Sequence, residues 1–594
     1  MNYRAPLSEI VFAMNHVAGL ERGVADGIYP DLADGAAATI LGEAGKMAEG
    51  VLAPLNVTGD EFGATLLEGV VTTAPGFAEA YRQWREGGWN ALTAPEEFGG
   101  MGLPHLLNAA CTEFWNAANM GFSLCPLLTV GAIEAVHTHA TPALQKLYLE
   151  KLVSGEWTGT MNLTEPQAGS DLNALRAKAE PMGDGSYKVS GEKIYITYGE
   201  HDMTDNIVHL VLARLPDAPA GTRGISLFLV PKILVKADGS LGARNAVRCT
   251  GLEHKLGIHA SPTCTMLYED RKGWLIGEEN KGLACMFTMM NSARLNVGLQ
   301  GVAIAERASQ HALAYARDRR QGRAPGASGP GMSAIIDHPD VQRMLMTMRA
   351  MTQAARAICL LTAESIDRSH RAPDAEARRH AAERTGLLTP VAKAFSTDIG
   401  NEVASMGVQV HGGMGFVEDT GAAQFMRDVR IAAIYEGTNG IQAIDLVQRK
   451  LTLSSGEAVA REIADMRATL EEVRVVNAPA FTAMAAHLAD ALAAFERATA
   501  YMMAAVASGS ADAFAGATPY LRLFGLARGG LSLATSALAA HKLAAAGDSD
   551  PELAGRVAIA RFFAVNIASG AAGLECAVTQ GAASVQDAAF ALVA

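Results

Sequence analysis

Arg427-Asp428-Val429-Arg430-Ile431-Ala432-Ala433-Ile434-Tyr435-Glu436-Gly437-Thr438-Asn439-Gly440-Ile441-Gln442 reads as a helix that stops, a short turn and a second helix. Gly437 and Gly440 break the first helix, and Thr438 or Asn439 can cap the second, predicted over Ile441–Leu451. Glu436 stands at the interruption, preceded by apolar Ile431, Ile434 and Tyr435. A carboxylate there can project into a cavity without disturbing a regular helix face. In a dry cavity its pKa rises from about 4.3 toward neutrality, which suits a general base. Taken alone, the stretch favours a solvated helix-end Glu beside an ordinary turn.

Upstream, helical runs over Arg294–Arg320, His338–His370 and Ala381–Val410 with short connections predict a bundle. Asn291-Ser292-Ala293-Arg294 opens it. Arg317-Asp318-Arg319-Arg320-Gln321-Gly322-Arg323 closes the first run, and its guanidinium forks fit an anion, although Arg at a helix C-terminus also simply favours the dipole. Gln409-Val410-His411-Gly412-Gly413-Met414-Gly415-Phe416 closes the third run, with glycines that let backbone approach a ligand. His411 and His259 read as structural. Before the bundle the period changes to strands, with β-rich runs at Tyr187–Val189, Ile194–Thr197, Ile207–Leu212 and Ile225–Val230. Two stretches there stand out. Leu163-Thr164-Glu165-Pro166-Gln167-Ala168-Gly169-Ser170-Asp171 is a bent loop carrying hydroxyls, and Gly191-Glu192-Lys193-Ile194-Tyr195-Ile196-Thr197 is a strand with Tyr195 and Thr197 on one face. Each by itself fits an ordinary turn or a half-buried strand. The N-terminal part predicts helices at Glu61–Glu68, Gly76–Gly87 and Leu107–Met120, with a Gly- and Pro-rich loop from Gly88 to Pro104. The expected organisation is mainly α with an inserted β-domain: 1–157 helical, 158–278 β, 279–452 bundle and 453–594 an appended Ala-rich helical region.

The chain of 594 residues is 49% apolar and 19% charged, so it reads as globular throughout. A net charge of −13 disfavours binding along a nucleic-acid backbone. The start, Met1-Asn2-Tyr3-Arg4-Ala5-Pro6, leads into an amphipathic run that resembles neither a secretory signal nor a transit peptide. No uninterrupted apolar segment reaches bilayer-spanning length. Seven scattered Cys with no Cys-x-x-Cys pair disfavour metal sites and a disulfide framework, and the expected location is the cytoplasm.

Tyr435-Glu436-Gly437-Thr438 with Ile441-Gln442 resembles the catalytic-base segment of the acyl-CoA dehydrogenases. The other motifs follow in that family's order over residues 1–452. The resemblance implies the family's fold: a helical N-domain, a β-barrel or sandwich and a four-helix bundle. It also implies FAD as cofactor, an acyl-CoA as substrate and an electron-transfer flavoprotein as acceptor, in a homodimer or homotetramer. Glu436 is implied as the base that removes the α-proton. The thioester carbonyl would be polarised by the Glu436 N–H and a ribityl hydroxyl of FAD. Leu163, Thr164, Gly169, Ser170, Tyr195, Thr197, Arg319, Gln409, Gly412, Gly413, Thr438 and Gln442 are implied as FAD neighbours. Ser170, Asn291, Arg294, Glu436 and Gly437 are implied against the substrate. Tyr195 stands where Trp is commoner in the family, and Gly322-Arg323 replaces the usual Phe-Gly before an inserted loop, Ala324–Ser333. The appended region and that loop resemble the longer members. Among these the 3-methylmercaptopropionyl-CoA dehydrogenases look closest, through Tyr3-Arg4-Ala5-Pro6-Leu7 and Ile336-Asp337-His338-Pro339-Asp340-Val341. Met286, Met289 and Met290 are candidates for a thioether-accepting wall or for plain core packing. Two other readings stay open: an acyl-CoA oxidase, and an alkylation-response-type DNA-associated flavoprotein. The second needs a basic C-terminal surface, whereas residues 451–594 carry nine basic and thirteen acidic side chains.

Overall fold

The computed structural model describes residues 3–328 and 330–592. Met1 and Asn2 of the predicted lead and Gly329 of the predicted loop lie outside the described residues. Helices Leu7–His16, Ala36–Met47, Leu55–Phe62 and Phe77–Glu86 precede a long helix α1, His105–His139. α1 is two helices in series. Asn119 leaves the helical region (φ −159°, ψ 92°), and its side chain caps the second piece by accepting from the Phe122 N–H at 3.0 Å. The helix predicted over Glu61–Glu68 does not form. Gly63 takes φ +62°, and Thr65–Leu67 pairs with Val70–Thr72 across Glu68 and Gly69, both at positive φ. A run this short fits either period, so the two-residue hairpin turn decides.

The sheet domain has strands β1 Trp157–Asn162, β2 Lys178–Pro181, β3 Tyr187–Thr197, β4 Asn206–Arg214, β5 Ile225–Pro231, β6 Arg248–Leu252 and β7 Thr263–Ile276. Their order is β6-β7-β3-β2-β4-β1. β5 pairs with both β7 and β4, so β7, β3, β2, β4 and β5 close a circuit. β5 is buried along its whole length, as is β4 up to Ala213, which explains their mostly apolar sequence, broken only by buried Asn206, His209 and Ser226. Register slips where β3 faces Cys264–Met266 of β7. Tyr195 sits at that bulge with φ +60° and is turned outward, 59% exposed.

The bundle consists of α2 Gly282–Asp318, α3 Pro339–Arg371 and α4 Ala375–His411, packed with α1. α2 and α4 touch backbone to backbone. A Cβ at Gly301 would lie 2.3 Å from the Ser396 carbonyl oxygen, so only glycine fits there. After the bundle come helices Glu457–Val475, Pro479–Ala507, α6 Ala517–Ala545 (α5, Asn439–Asp445, lies before them), Glu552–Asn566 and Ala571–Asp587. One apolar core joins these to the bundle and the N-terminal helices, and a second fills the sheet domain.

One sequence expectation is corrected here. α1, α6 and the Glu552–Asp587 stretch are long and apolar enough, by length and composition, to cross a membrane. Scattered polar residues interrupt each run but leave it apolar on average. The apolar windows of α1 and α6 are 78% and 83% buried inside the protein. The third stretch breaks at Ala568–Gly570 into helices of 15 and 17 residues, each below the roughly 20 needed to span a bilayer.

Candidate active site

Helix Ala422–Val429 runs into a tight turn, Arg430–Ala433, and the chain then bends through Glu436 (φ +57°) and Gly437 (φ +88°). A left-handed non-glycine residue costs about 1–3 kcal/mol and needs a surrounding structure that holds it. That structure is visible. The Gln442 amide donates to the Glu436 carbonyl at 3.3 Å, and Lys393 Nζ donates to the Gly437 carbonyl at 2.9 Å. Thr438 caps α5, its hydroxyl accepting from the Ile441 N–H at 3.3 Å. α5 is shorter than the predicted Ile441–Leu451 helix, because the chain continues over Leu446–Lys450 as a wider, π-type turn. The Tyr435 hydroxyl donates to the Gln300 side-chain oxygen. Among the described residues the Glu436 N–H finds no intramolecular acceptor.

Burial pushes the Glu436 carboxyl up to about 7, against the opposing pull of Arg294 and Lys393. Lys393, fully buried in α4, is lowered by desolvation to about 7. Arg294 donates to Asn291 Oδ1 at 3.3 Å and lies 4.0 Å from Asp445, while its buried Nε has no partner. Of these side chains Asn291, Arg294 and Asp445 stand on the wall of a cavity of about 520 Å³ lined by α1, α2, α3 and α4. Glu436 is not on that wall and couples to it through Arg294. Glu134, also lining it, is held by burial at about 7, with its one hydrogen bond from Ser292 at 3.1 Å. A small inner cavity of about 30 Å³ shares Asn108, Val130 and Asn296 with the larger one and is walled by Trp84, Trp89 and Trp115. The methionine wall is corrected. Met286 and Met289 are fully buried in the sheet-domain core, Met290 packs against that core, and none of them lines either cavity.

The remaining predicted residues fall into two groups. In the sheet domain, buried Lys193 donates to the Leu163 carbonyl (3.0 Å) and to Glu165 (2.8 Å), and the Ile194 N–H donates to the Thr164 carbonyl (3.0 Å). These bonds fasten the Leu163–Ser170 loop to β3, which carries Tyr195 and Thr197. Gly169 and Ser170 are exposed. At the far ends of α2 and α4, His411 stacks on Tyr315 at 4.4 Å, bringing Arg319 near Gln409, Gly412 and Gly413, all exposed. His411 itself bonds the Gly407 carbonyl, and His259 bridges Asp60 and the Lys255 carbonyl, so both hold structure. The sequence reading missed Lys393, Asn439 as its acceptor, Glu134 and the three Trp. The available signal for Lys393 was a lone cation inside Pro390-Val391-Ala392-Lys393-Ala394-Phe395.

Family models match along most of the chain: acyl-CoA dehydrogenase N-terminal domain over 70–156, middle domain over 160–271, C-terminal domain over 280–451, and an acetyl-CoA dehydrogenase C-terminal-like domain over 462–589. The chain is 48% identical over 567 residues to a 3-methylmercaptopropionyl-CoA dehydrogenase of Ruegeria pomeroyi, covering 96% of each. It is 36% identical to a butyryl-CoA dehydrogenase of Syntrophomonas wolfei, over 89% of this chain and 88% of the relative. An acyl-CoA dehydrogenase of Bacillus anthracis solved in complex with FAD shares the fold at TM-score 0.73 and 22% identity, over 93% and 89% of the two chains.

Proposed function

Since the chain belongs to the acyl-CoA dehydrogenase family and is therefore an oxidoreductase, we propose that it oxidises an acyl-CoA thioester between Cα and Cβ, with FAD as cofactor and Glu436 as base. The observation that carries this reading is the turn itself: a left-handed Glu436 whose carboxyl is held near neutrality beside a large cavity. A base poised there is partly ionised at neutral pH and strong enough for a thioester α-proton. Its unspent N–H is a donor for the thioester carbonyl, which acidifies the same proton.

The residues proposed for FAD fit such a group. The hydroxyls of Thr164, Ser170 and Thr197 carry no intramolecular hydrogen bond among the described residues, and buried Gln442 Oε1 has no partner. Tyr195 offers an outward aromatic face. Leu163 and Gly169 complete this edge, and Thr438 flanks it beside the base. Arg319, Gln409 and the open backbone at Gly412–Gly413 suit a diphosphate. When bound, FAD supplies the acceptor for the β-hydride. Glu436 takes the α-proton, while Asn291, Arg294, Ser170 and Gly437 hold the thioester arm. Exposed Met414 and Phe416 beside Gly412–Gly413 support a second copy covering that end, in a homodimer or homotetramer. We assign an electron-transfer flavoprotein as acceptor and the cytoplasm as location.

For the substrate we propose a short acyl-CoA, with 3-methylmercaptopropionyl-CoA first. The Ruegeria relative and the indole-walled inner cavity support this, because thioether sulfur is attracted to aromatic edges. Anaerobic flavin bleaching against saturated acyl-CoAs of increasing length and the thioether substrate tests the reading. A steep preference for long chains would reject the substrate, and absence of bleaching by every acyl-CoA would reject the reaction.

A further inference from the structure

The residues that hold Glu436 in its left-handed conformation are polar, buried and concentrated on one helix. Lys393 reaches out of the middle of α4 with no solvent exposure. Its ammonium donates to the Gly437 carbonyl and to Asn439 Oδ1, each at 2.9 Å. Those two acceptors bracket Thr438 and immediately follow the base. Asn439 is in turn fixed to α4: its amide donates to Asp398 Oδ1 at 2.6 Å, to Thr397 Oγ1 at 3.0 Å and to the Ala394 carbonyl at 3.2 Å. A helix is thereby clamped to a turn whose own conformation is unfavourable. An apolar side chain of similar volume would fill the same space. A buried ammonium is expensive unless it is paired, and this one has no carboxylate within ion-pair distance among the described residues.

The geometry points to Lys393 as the positioning residue of the catalytic turn: from the middle of α4 it clamps Glu436 in its left-handed conformation and, when protonated, places a positive charge behind that turn. This inference rests on Glu436 being the base. Other charged groups bear on the pair. Arg294 faces Glu436 from α2, with Asp445 and Arg449 beyond it on α5 and the following turn. Asp398 faces Lys393 on α4 and has Glu402 and, from α6, Arg522 around it. Arg294 lies 4.0 Å from Asp445 and Lys393 donates to neutral oxygens, and both cations act on Glu436, Arg294 the more strongly. Direction is supported by the causes acting on Glu436: burial raises it, and Lys393 is one of two cations that pull it back.

The test uses the flavin-loaded enzyme and three variants: Lys393→Met removes donor and charge, Lys393→Gln keeps a donor only, and Lys393→Arg keeps the charge. The rate of anaerobic flavin reduction by saturating butyryl-CoA is followed from pH 5.5 to 9.5. In parallel, the protonated-carboxyl infrared band that Glu436→Gln removes is titrated without substrate. Lys393→Met is expected to lower the plateau rate about 10–100-fold, the cost of a base displaced by an ångström or so. It is also expected to move both the acid limb and the infrared midpoint up by about one pH unit. Lys393→Gln should recover part of the plateau but keep the alkaline shift, and Lys393→Arg should restore the midpoint. An infrared midpoint that stays put in both uncharged variants overturns the proposal. If Lys393→Met fails to bind flavin, Lys393→Gln alone decides by the same midpoint. If Glu436→Gln itself reduces flavin normally, the base assignment falls, and the infrared titration still reports whether Lys393 governs Glu436.

Discussion

Replacing Glu436 by Gln separates chemistry from stability, because the two respond in opposite directions. Burial raises the Glu436 carboxyl from 4.5 to about 7, mostly by desolvation. At about 1.4 kcal/mol per pH unit, keeping this group ionised in the folded chain costs at most about 3–4 kcal/mol, less whatever its residual solvent contact screens. The sign follows from linkage. A carboxyl whose folded pKa lies above its unfolded value binds its proton more tightly when folded. Below about pH 4.5 both states are protonated and nothing is lost. Stability then declines as pH rises through the window up to about 7, and above it the full penalty is present. Glu436→Gln removes the titration, so its melting temperature should match wild type near pH 5 and exceed it by a few degrees at pH 8. The same variant should lose flavin reduction by about 10²–10⁴-fold above pH 7 and by less at acid pH, because the wild-type rate should climb with pH and level off above about 7. Scanning fluorimetry and anaerobic stopped-flow measure the two effects on one preparation. A variant less stable than wild type at pH 8, together with near-normal reduction, would refute both the buried-carboxyl argument and the base.

Arg356→Met leaves Glu113, 0% exposed, without the guanidinium that now donates to it at 2.6 Å; it should cost about 3–5 kcal/mol in urea unfolding at pH 7.5, and less at pH 5 where the carboxyl can take up a proton. Arg319→Ala should weaken FAD binding by roughly 2–5 kcal/mol and yield largely apoprotein, read from the flavin-to-protein absorbance ratio. Trp115→Ala enlarges the inner cavity and should raise kcat/KM for hexanoyl-CoA relative to butyryl-CoA, with each methylene worth about 1–3 kcal/mol.

The sequence reading reached the fold through local signals: glycines at Gly437 and Gly440, the strand period after residue 158, and helical runs of three turns or more. Glu436 was legible because its motif is contiguous. Lys393 was not, since its partners lie 44 and 46 positions away and only the packing of α4 against the turn brings them together. The Met286–Met290 cluster misled for the complementary reason. Helical spacing cannot say which neighbour a buried face meets, and the face met the sheet-domain core while three Trp from separate elements walled the cavity. The appended region was least legible. Its Ala-rich composition announced close packing without naming the partners, which are α3, where a Cβ at Gly529 would fall 2.9 Å from Ala354, and α4 beside the Glu436 turn. A Cβ at Gly525 of α6 would fall 2.2 Å from the Phe395 ring, so this glycine admits the ring of the residue two along from Lys393. One helical turn earlier, Arg522 lies over that ring at 5.3 Å, pairs with Glu402 at 2.7 Å and acts on Asp398, the anchor of Asn439. The appended region thus forms the back wall of the helix that clamps the Glu436 turn. Composition cannot express that relation, because it resides in one missing side chain.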